Sequence, residues 1–204
     1  MITPREYLSW SSMDLLERNE KKWIEQYIYG QKNRINRGMA FGKIVADSLE
    51  RDEASGDVML DLALERVPKF EIRDKPFTAE LKIGKKTIQI YCKPDTMKED
   101  MSEFKEDKSG PKGSWNQKKV DENGQITFYA TGMYLKTGKI PQDIELVHIV
   151  TEKEDIEQLD SKLRATGEIK RYKTIRSMSQ ILNMMVRMKK AWGRIEEITE
   201  KELI

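Results

Sequence analysis

Residues 94–129 constrain this chain more than any other stretch. Pro94-Asp95 is followed by Glu106-Asp107-Lys108-Ser109-Gly110, then Trp115, then Gln125-Ile126-Thr127-Phe128-Tyr129. If the acid–x–lysine triplet lies on a strand, alternation sends Glu106 and Lys108 to one face and Asp107 to the other. One face then carries a carboxylate beside an ammonium, with an aspartate from an earlier segment near by. Hard divalent cations take oxygen ligands, and an ammonium can steer a water or a phosphate oxygen, so this set suits metal-assisted phosphodiester cleavage.

The surrounding pattern supplies the scaffold. Ser11 or Ser12 can cap a helix whose apolar positions Met13, Leu16, Trp23, Tyr27 and Ile28 recur at helical spacing up to Gly30. A second helix is expected over 36–50, with Met39, Ile44, Val45 and Leu49 inward, and a third over 55–66, ended by Pro68. Strands at 77–83 and 87–91 flank Gly84-Lys85-Lys86 as a hairpin, and the strand bearing Glu106 follows. The Gly, Pro, Ser, Asn and Lys content of 109–124 reads as a surface loop. A helix over 124–137, a buried strand over 144–151, an edge strand over 166–175 and a Met-rich helix over 177–198 complete the order. The fold class is α/β or α+β, a mixed central sheet flanked by helices.

With 204 residues and no internal linker, one domain spanning 1–204 is expected, opened by a helical segment over about 1–66. The formal charge is +2, so any nucleic-acid affinity must come from local patches rather than a global field. No apolar run approaches the ~18 residues of a membrane span, and the first residues lack a signal peptide's apolar core. The single cysteine, Cys92, excludes an intramolecular disulfide and a four-cysteine iron–sulfur cluster. It fits a reducing compartment, so a cytoplasmic protein without a membrane partner is expected.

The order of these residues resembles the PD-(D/E)XK nuclease superfamily, and within it the RecB-like exonuclease branch. Pro94-Asp95 matches the PD element and Glu106-x-Lys108 the (D/E)XK element; Lys108-Ser109-Gly110 is similar to the Lys-Thr-Gly that often follows. Gln125-x-x-x-Tyr129 matches the Gln-x-x-x-Tyr motif, and Leu8-Ser9-Trp10-Ser11-Ser12 resembles the opening segment, so the resemblance covers residues 8–150. It implies a restriction-endonuclease-like core and a metal-dependent deoxyribonuclease acting on DNA in recombination, repair or end processing. The cell would be bacterial or phage-infected, and a recombination or replication protein is a candidate partner. It implies Asp95 and Glu106 as ligands to one or two Mg²⁺ or Mn²⁺ ions, with Lys108 and Gln125 completing the catalytic set. Tyr129 becomes a contact to the nucleic acid. The compactness is similar to stand-alone phage-type exonucleases. A restriction-type or structure-specific endonuclease, and a degenerate DNA- or protein-binding module, are the alternatives.

Each residue also has an ordinary reading. Asp95 can be a turn residue after proline, and Lys108 an exposed strand lysine. Gln125 and Tyr129 can be an i,i+4 pair on any helix. Trp115, among Lys112, Lys118 and Lys119, can stack on an unpaired base or fold back over the core. Where RecB-like members often have Gly-x-x-x-His, Gly42 is followed by Ala46. Glu50 can supply an extra carboxylate to the metal or be solvated at its helix end, and His148 reads as structural. A second triplet, Glu103-Phe104-Lys105, is offset by an odd number of residues and so faces the other side of the strand.

Overall fold

In a computed structural model of the protein, residues 6–32, 37–51, 53–68, 70–153 and 163–203 are described. Ser9, rather than Ser11 or Ser12, caps the first helix: it ends strand β1 (Tyr7–Ser9) and accepts the Ser12 N–H at the start of α1 (Trp10–Arg18). Ser12 instead accepts the indole N–H of buried Trp23 at 2.9 Å, the partner a buried tryptophan needs. The expected single helix breaks at Asn19, whose side chain accepts the Lys22 N–H and caps α2 (Glu20–Tyr27).

Helix α3 (Arg37–Arg51) keeps its expected place, although its start at Asn36 lies outside the described residues. Val45 and Leu49 are buried with Phe41, whereas Met39 and Ile44, expected inward, are exposed. Asp57 caps the short α4 (Val58–Leu64) by accepting the Met59 and Leu60 N–H groups.

The strands form two sheets rather than the single central sheet expected. The hairpin of β3 (Phe77–Ile83) and β4 (Lys86–Cys92) turns at Gly84, whose φ of 57° suits the first position of a two-residue turn. It joins β1 in a three-stranded sheet ordered β1-β4-β3. The second sheet is ordered β2-β5-β6-β7-β8, built from β2 (Ile72–Arg73), β5 (Thr96–Met97), β6 (Glu103–Pro111), β7 (Asp143–Lys153) and β8 (Leu163–Thr174). Strands β6 and β7 are parallel, connected through α5 (Gln117–Asp121) and α6 (Gly124–Thr137). The expected loop over 109–124 is therefore partly strand and partly helix. Helix α7 (Met178–Leu203) closes the chain; Met184 and Met188 are buried, but Met178 is exposed.

Helices cover both faces of the larger sheet, so β7 is apolar on both. Ile144 and Leu146 join Phe104, Phe128, Met133 and Met188 in the main core beneath α6 and the smaller sheet. Val147 and Ile149 turn the other way, to Phe41, Val45, Leu60 and Ala165 under α3 and α4. The architecture is α+β.

Helix α6 is seated against the hairpin at Gly132. A Cβ there would stand 2.4 Å from Cys92 Sγ and 3.5 Å from the Phe77 ring. Gly132→Ala is expected to destabilise by roughly 1–3 kcal/mol through overpacking, read as a lower urea midpoint. Cys92→Ala in the same chain should recover part of the loss, because it removes the sulfur that the new methyl meets.

Candidate metal and catalytic site

Strand β6 pairs with β7 in unbroken register from Glu103 to Pro111, so alternation holds along its length. Phe104 and Glu106 face α6, where the Phe104 ring meets Tyr129 edge-on at 6.4 Å, and Lys108, next on that side, also borders the cleft beneath α3 at the end of the strand. Lys105 and Asp107 face α3 and α4. The second triplet is thereby occupied elsewhere: Glu103 pairs with Lys98 at the start of the strand. Lys105 lies 3.4 Å from Glu145 and over the Phe70 ring at 4.1 Å.

Asp95 sits in the bend before β5, and Asp107 N–H donates to its Oδ2 at 2.7 Å. That bond ties the Pro-Asp segment to the triplet. Glu106 is 2% exposed, and Lys108 Nζ donates to its Oε1 at 2.6 Å. Burial and the neighbouring Asp95 carboxylate push Glu106 up to about 8. The same two causes push Asp107 up to about 7, and burial raises Asp95 as well. For Lys108 burial works against the charge, but the carboxylates of Glu106, Asp95 and Asp107 win and hold it above its ordinary range. It is thus kept as an ammonium, a donor rather than a base.

Three carboxyl groups crowd this poorly solvated place, with Lys108 bonded to one of them and Arg73 lining the same cleft. Glu106 Oε2 and both Asp107 oxygens are buried without a hydrogen-bond partner. Buried acceptors left unpaired are costly, and a hard cation is a group that satisfies carboxylate oxygens on either side of the strand. Among the described residues no three acidic, histidine or cysteine side chains converge into a complete ligand set. A pair of carboxylates with waters filling the remaining positions is the arrangement Mg²⁺ ordinarily takes. The residues fit such an ion.

On the α6 side, Gln125 Nε2 donates to the Tyr129 hydroxyl at 3.1 Å. Burial raises the Tyr129 hydroxyl's pKa, with the Glu106 and Asp95 carboxylates adding to it, so this tyrosine remains a neutral donor beside the carboxylates. Helix α6 begins at this point because Asn123 accepts the Ile126 N–H. Buried Arg176 also donates to the Val120 and Asn123 carbonyls and to Thr127 Oγ1.

Other expected site residues lie apart. Glu50 is exposed; Ala46 and Leu49 of α3 line the cleft against Asp95, Asp107 and Lys108. Ala46 borders the cleft while remaining exposed, and Glu50, one turn further along the same flank of α3, lies toward Lys93, whose pKa is raised by its bond to Asp74 with Glu50 adding to it. Trp115 is half-buried against the main core, and its carbonyl accepts the Tyr172 hydroxyl, so it covers the core rather than standing free. Lys119 Nζ is bonded to the Ser114 carbonyl, while Lys112 and Lys118 are exposed and only loosely paired, at 4.0 Å, with Glu168 and Glu122. His148 is buried; its Nε2 donates to the Gly110 carbonyl at 2.9 Å and lies 3.2 Å from Ser114 Oγ. It pins the end of β6 to the segment carrying Trp115, a structural role.

Asp107 takes the face opposite Glu106, as strand alternation predicts, and there lines the cleft of about 290 Å³ that α3 forms over the sheet. Nothing in its spacing marks it as part of that cleft, because α3 comes from a distant segment.

Comparison with protein families finds no match, and neither does comparison with curated proteins. Among solved structures, the chain is similar to the one described as the crystal structure of SSO0001, with a TM-score of 0.53 at 12% identity. The likeness covers 95% of this chain and 78% of that one, and at this identity it speaks to the fold alone. No helix of the described residues is long and apolar enough to cross a membrane.

Proposed function

We propose that this protein is a divalent-metal-dependent deoxyribonuclease, an exonuclease that processes DNA ends in recombination or repair. The observation that carries the reading is the meeting of Asp95, Glu106 and Lys108 beside Gln125 and Tyr129, with a buried Glu106 oxygen left unpaired. Asp95 and Glu106 would hold Mg²⁺ or Mn²⁺, which when bound supplies Lewis-acid polarisation of a phosphate oxygen and an acidified water. Lys108, kept protonated by its neighbours, offers its ammonium to the phosphoryl oxygens as negative charge accumulates there. Gln125 and Tyr129 present an amide and a neutral hydroxyl to the strand's backbone. Lys112 and Lys118 lend exposed positive charge to the rim.

The deciding experiment is digestion of end-labelled linear, nicked and covalently closed DNA by dialysed protein with EDTA, Mg²⁺ or Mn²⁺. Linear DNA should be degraded only with metal, while closed circles survive. Cutting of closed circles would reassign the protein as an endonuclease. Metal-independent binding without cleavage would make it a binding module.

Metal should also stabilise the fold, because it relieves repulsion among buried carboxylates. Mass action contributes about 2.7 kcal/mol at a hundred times the dissociation constant, a rise of roughly 5–10 °C in thermal midpoint for a chain this size. Asp95→Asn should abolish the Mn²⁺-dependent part of that rise. A midpoint indifferent to saturating Mn²⁺ in both proteins counts against the site.

A pair of amide substitutions separates the two triplets. Glu106→Gln should lower cleavage at least a hundredfold, whereas Glu103→Gln, remote and paired with Lys98, should leave it within about threefold. The reverse result would transfer the chemistry to Glu103 and Lys105.

A further inference from the structure

We propose that Asp107, together with Asp95, binds a divalent cation on the α3 side of the sheet, so that the site uses both faces of β6 at its cleft end. The inference rests on reading this cleft as a metal site and extends it to a residue outside the acid–x–lysine pattern. Three observations carry it. Both Asp107 oxygens are buried and have no hydrogen-bond partner, although the residue lines the cleft. Its own N–H is bonded to Asp95 Oδ2, which couples the two residues and leaves Asp95 Oδ1 outside that bond. The wall opposite is made by Ala46 and Leu49, which offer neither a donor nor a positive charge.

The other charged groups at the cleft are accounted for. Lys108 is engaged by Glu106 at 2.6 Å, and Asp74 is held by Lys93 at 3.0 Å. Arg73 faces the same cleft and is the competing partner for Asp107, yet its Nη2 is itself buried and unpaired, so the two do not satisfy each other. Two carboxylates with one arginine leave room for a cation that accepts several oxygens and keeps part of its water shell. The donors are all oxygen, which suits Mg²⁺ and Mn²⁺ and gives no advantage to metals that favour imidazole.

The test is calorimetric titration of the full chain with Mn²⁺ and with Mg²⁺, without DNA. Asp107→Asn, nearly isosteric, should weaken Mn²⁺ binding at least tenfold; a smaller change overturns the proposal and leaves Asp107 as a counter-charge to Arg73. Ala46→His places an imidazole on the cleft wall and provides a second arm. It should raise affinity for Mn²⁺ at least fivefold relative to Mg²⁺, because nitrogen ligands favour the transition metal. If circular dichroism shows that Asp107→Asn does not fold, this arm decides alone, and an unchanged Mn²⁺ to Mg²⁺ ratio overturns the proposal. The two readings fail separately. A parent protein that binds Mn²⁺ through Asp107 but cuts no DNA removes the nuclease assignment only. A parent that cuts DNA while Asp107→Asn binds Mn²⁺ unchanged removes the Asp107 site only.

Discussion

Lys108→Ala is expected to lower single-turnover DNA cleavage by about a thousandfold or more, which corresponds to about 4 kcal/mol of barrier. The side chain donates to Glu106 at 2.6 Å, and its surrounding carboxylates hold it protonated, so it is a fixed donor within the proposed site. Its removal also touches the fold. Glu106 is 2% exposed, and breaking a buried ion pair from one side costs about 3–5 kcal/mol when the remaining charge is trapped. Here the loss is trimmed, because burial and Asp95 already push Glu106 up to about 8 and it takes up a proton near neutral pH. Saturating Mn²⁺ should restore most of the thermal midpoint without restoring cleavage, which separates chemistry from stability. Lys108→Arg keeps the charge but replaces a compact point donor with a planar fork, and should recover only a small part of the rate. Cleavage of Lys108→Ala within tenfold of the parent would remove Lys108 from the reaction.

The largest effect on stability is expected at Arg176, which no motif marks. It is 4% exposed and donates to Thr127 Oγ1 at 2.7 Å, to Thr174 Oγ1 at 2.7 Å, and to the Ile175 and Val120 carbonyls at 2.8 and 2.9 Å. A weaker bond to the Asn123 carbonyl, at 3.3 Å, completes the set. These bonds tie the end of β8 to the turn between α5 and α6. Arg176→Met leaves several buried carbonyl and hydroxyl groups unpaired, at about 1–3 kcal/mol each before relaxation. A net loss of roughly 3–5 kcal/mol would lower the thermal midpoint by roughly 10 °C. Arg176→Lys should rescue little, since one ammonium cannot span groups on three segments. Because Arg176 fixes the start of α6, Gln125 should lose its position as well, so Mn²⁺-dependent cleavage should fall even at temperatures where the variant is folded. A midpoint within 2 °C of the parent, measured by scanning calorimetry with an expected resolution of about 1 °C per few tenths of a kcal/mol, would show that water replaces the guanidinium.

Much of the scaffold was legible because it depends on local rules. The apolar run over 144–151 reads as a strand buried on both faces, and β7 is one, lying between β6 and β8 with helices on each side. The helix over 124–137 is bounded by a capping Asn123 and by Gly138 at φ 76°, signals that act within a few residues. Strand alternation separates Glu103 from Glu106, and the unbroken β6–β7 register preserves it. These readings need only the geometry of neighbouring residues.

What the sequence could not settle depends on where distant segments meet. The first helix splits at Asn19 because a cap there competes with helical continuation, and the outcome turns on how Trp23 is received by Ser12. The hairpin joins β1 instead of the sheet bearing Glu106 because α6 comes between them, packing its Gly132 against Cys92 and Phe77. The rotation of α3 about its axis is decided by Phe41, Val45 and Leu49 packing on Val147 and Ile149, which leaves Ala46 and Glu50 together on an exposed flank. Asp107 enters the cleft for the same reason: alternation turned it away from Glu106, and α3 then built a second wall around it. Local pattern set which residues share a strand face and where α6 begins and ends; packing between distant segments decided which faces close around a cavity, since that depends on contacts that no local pattern encodes.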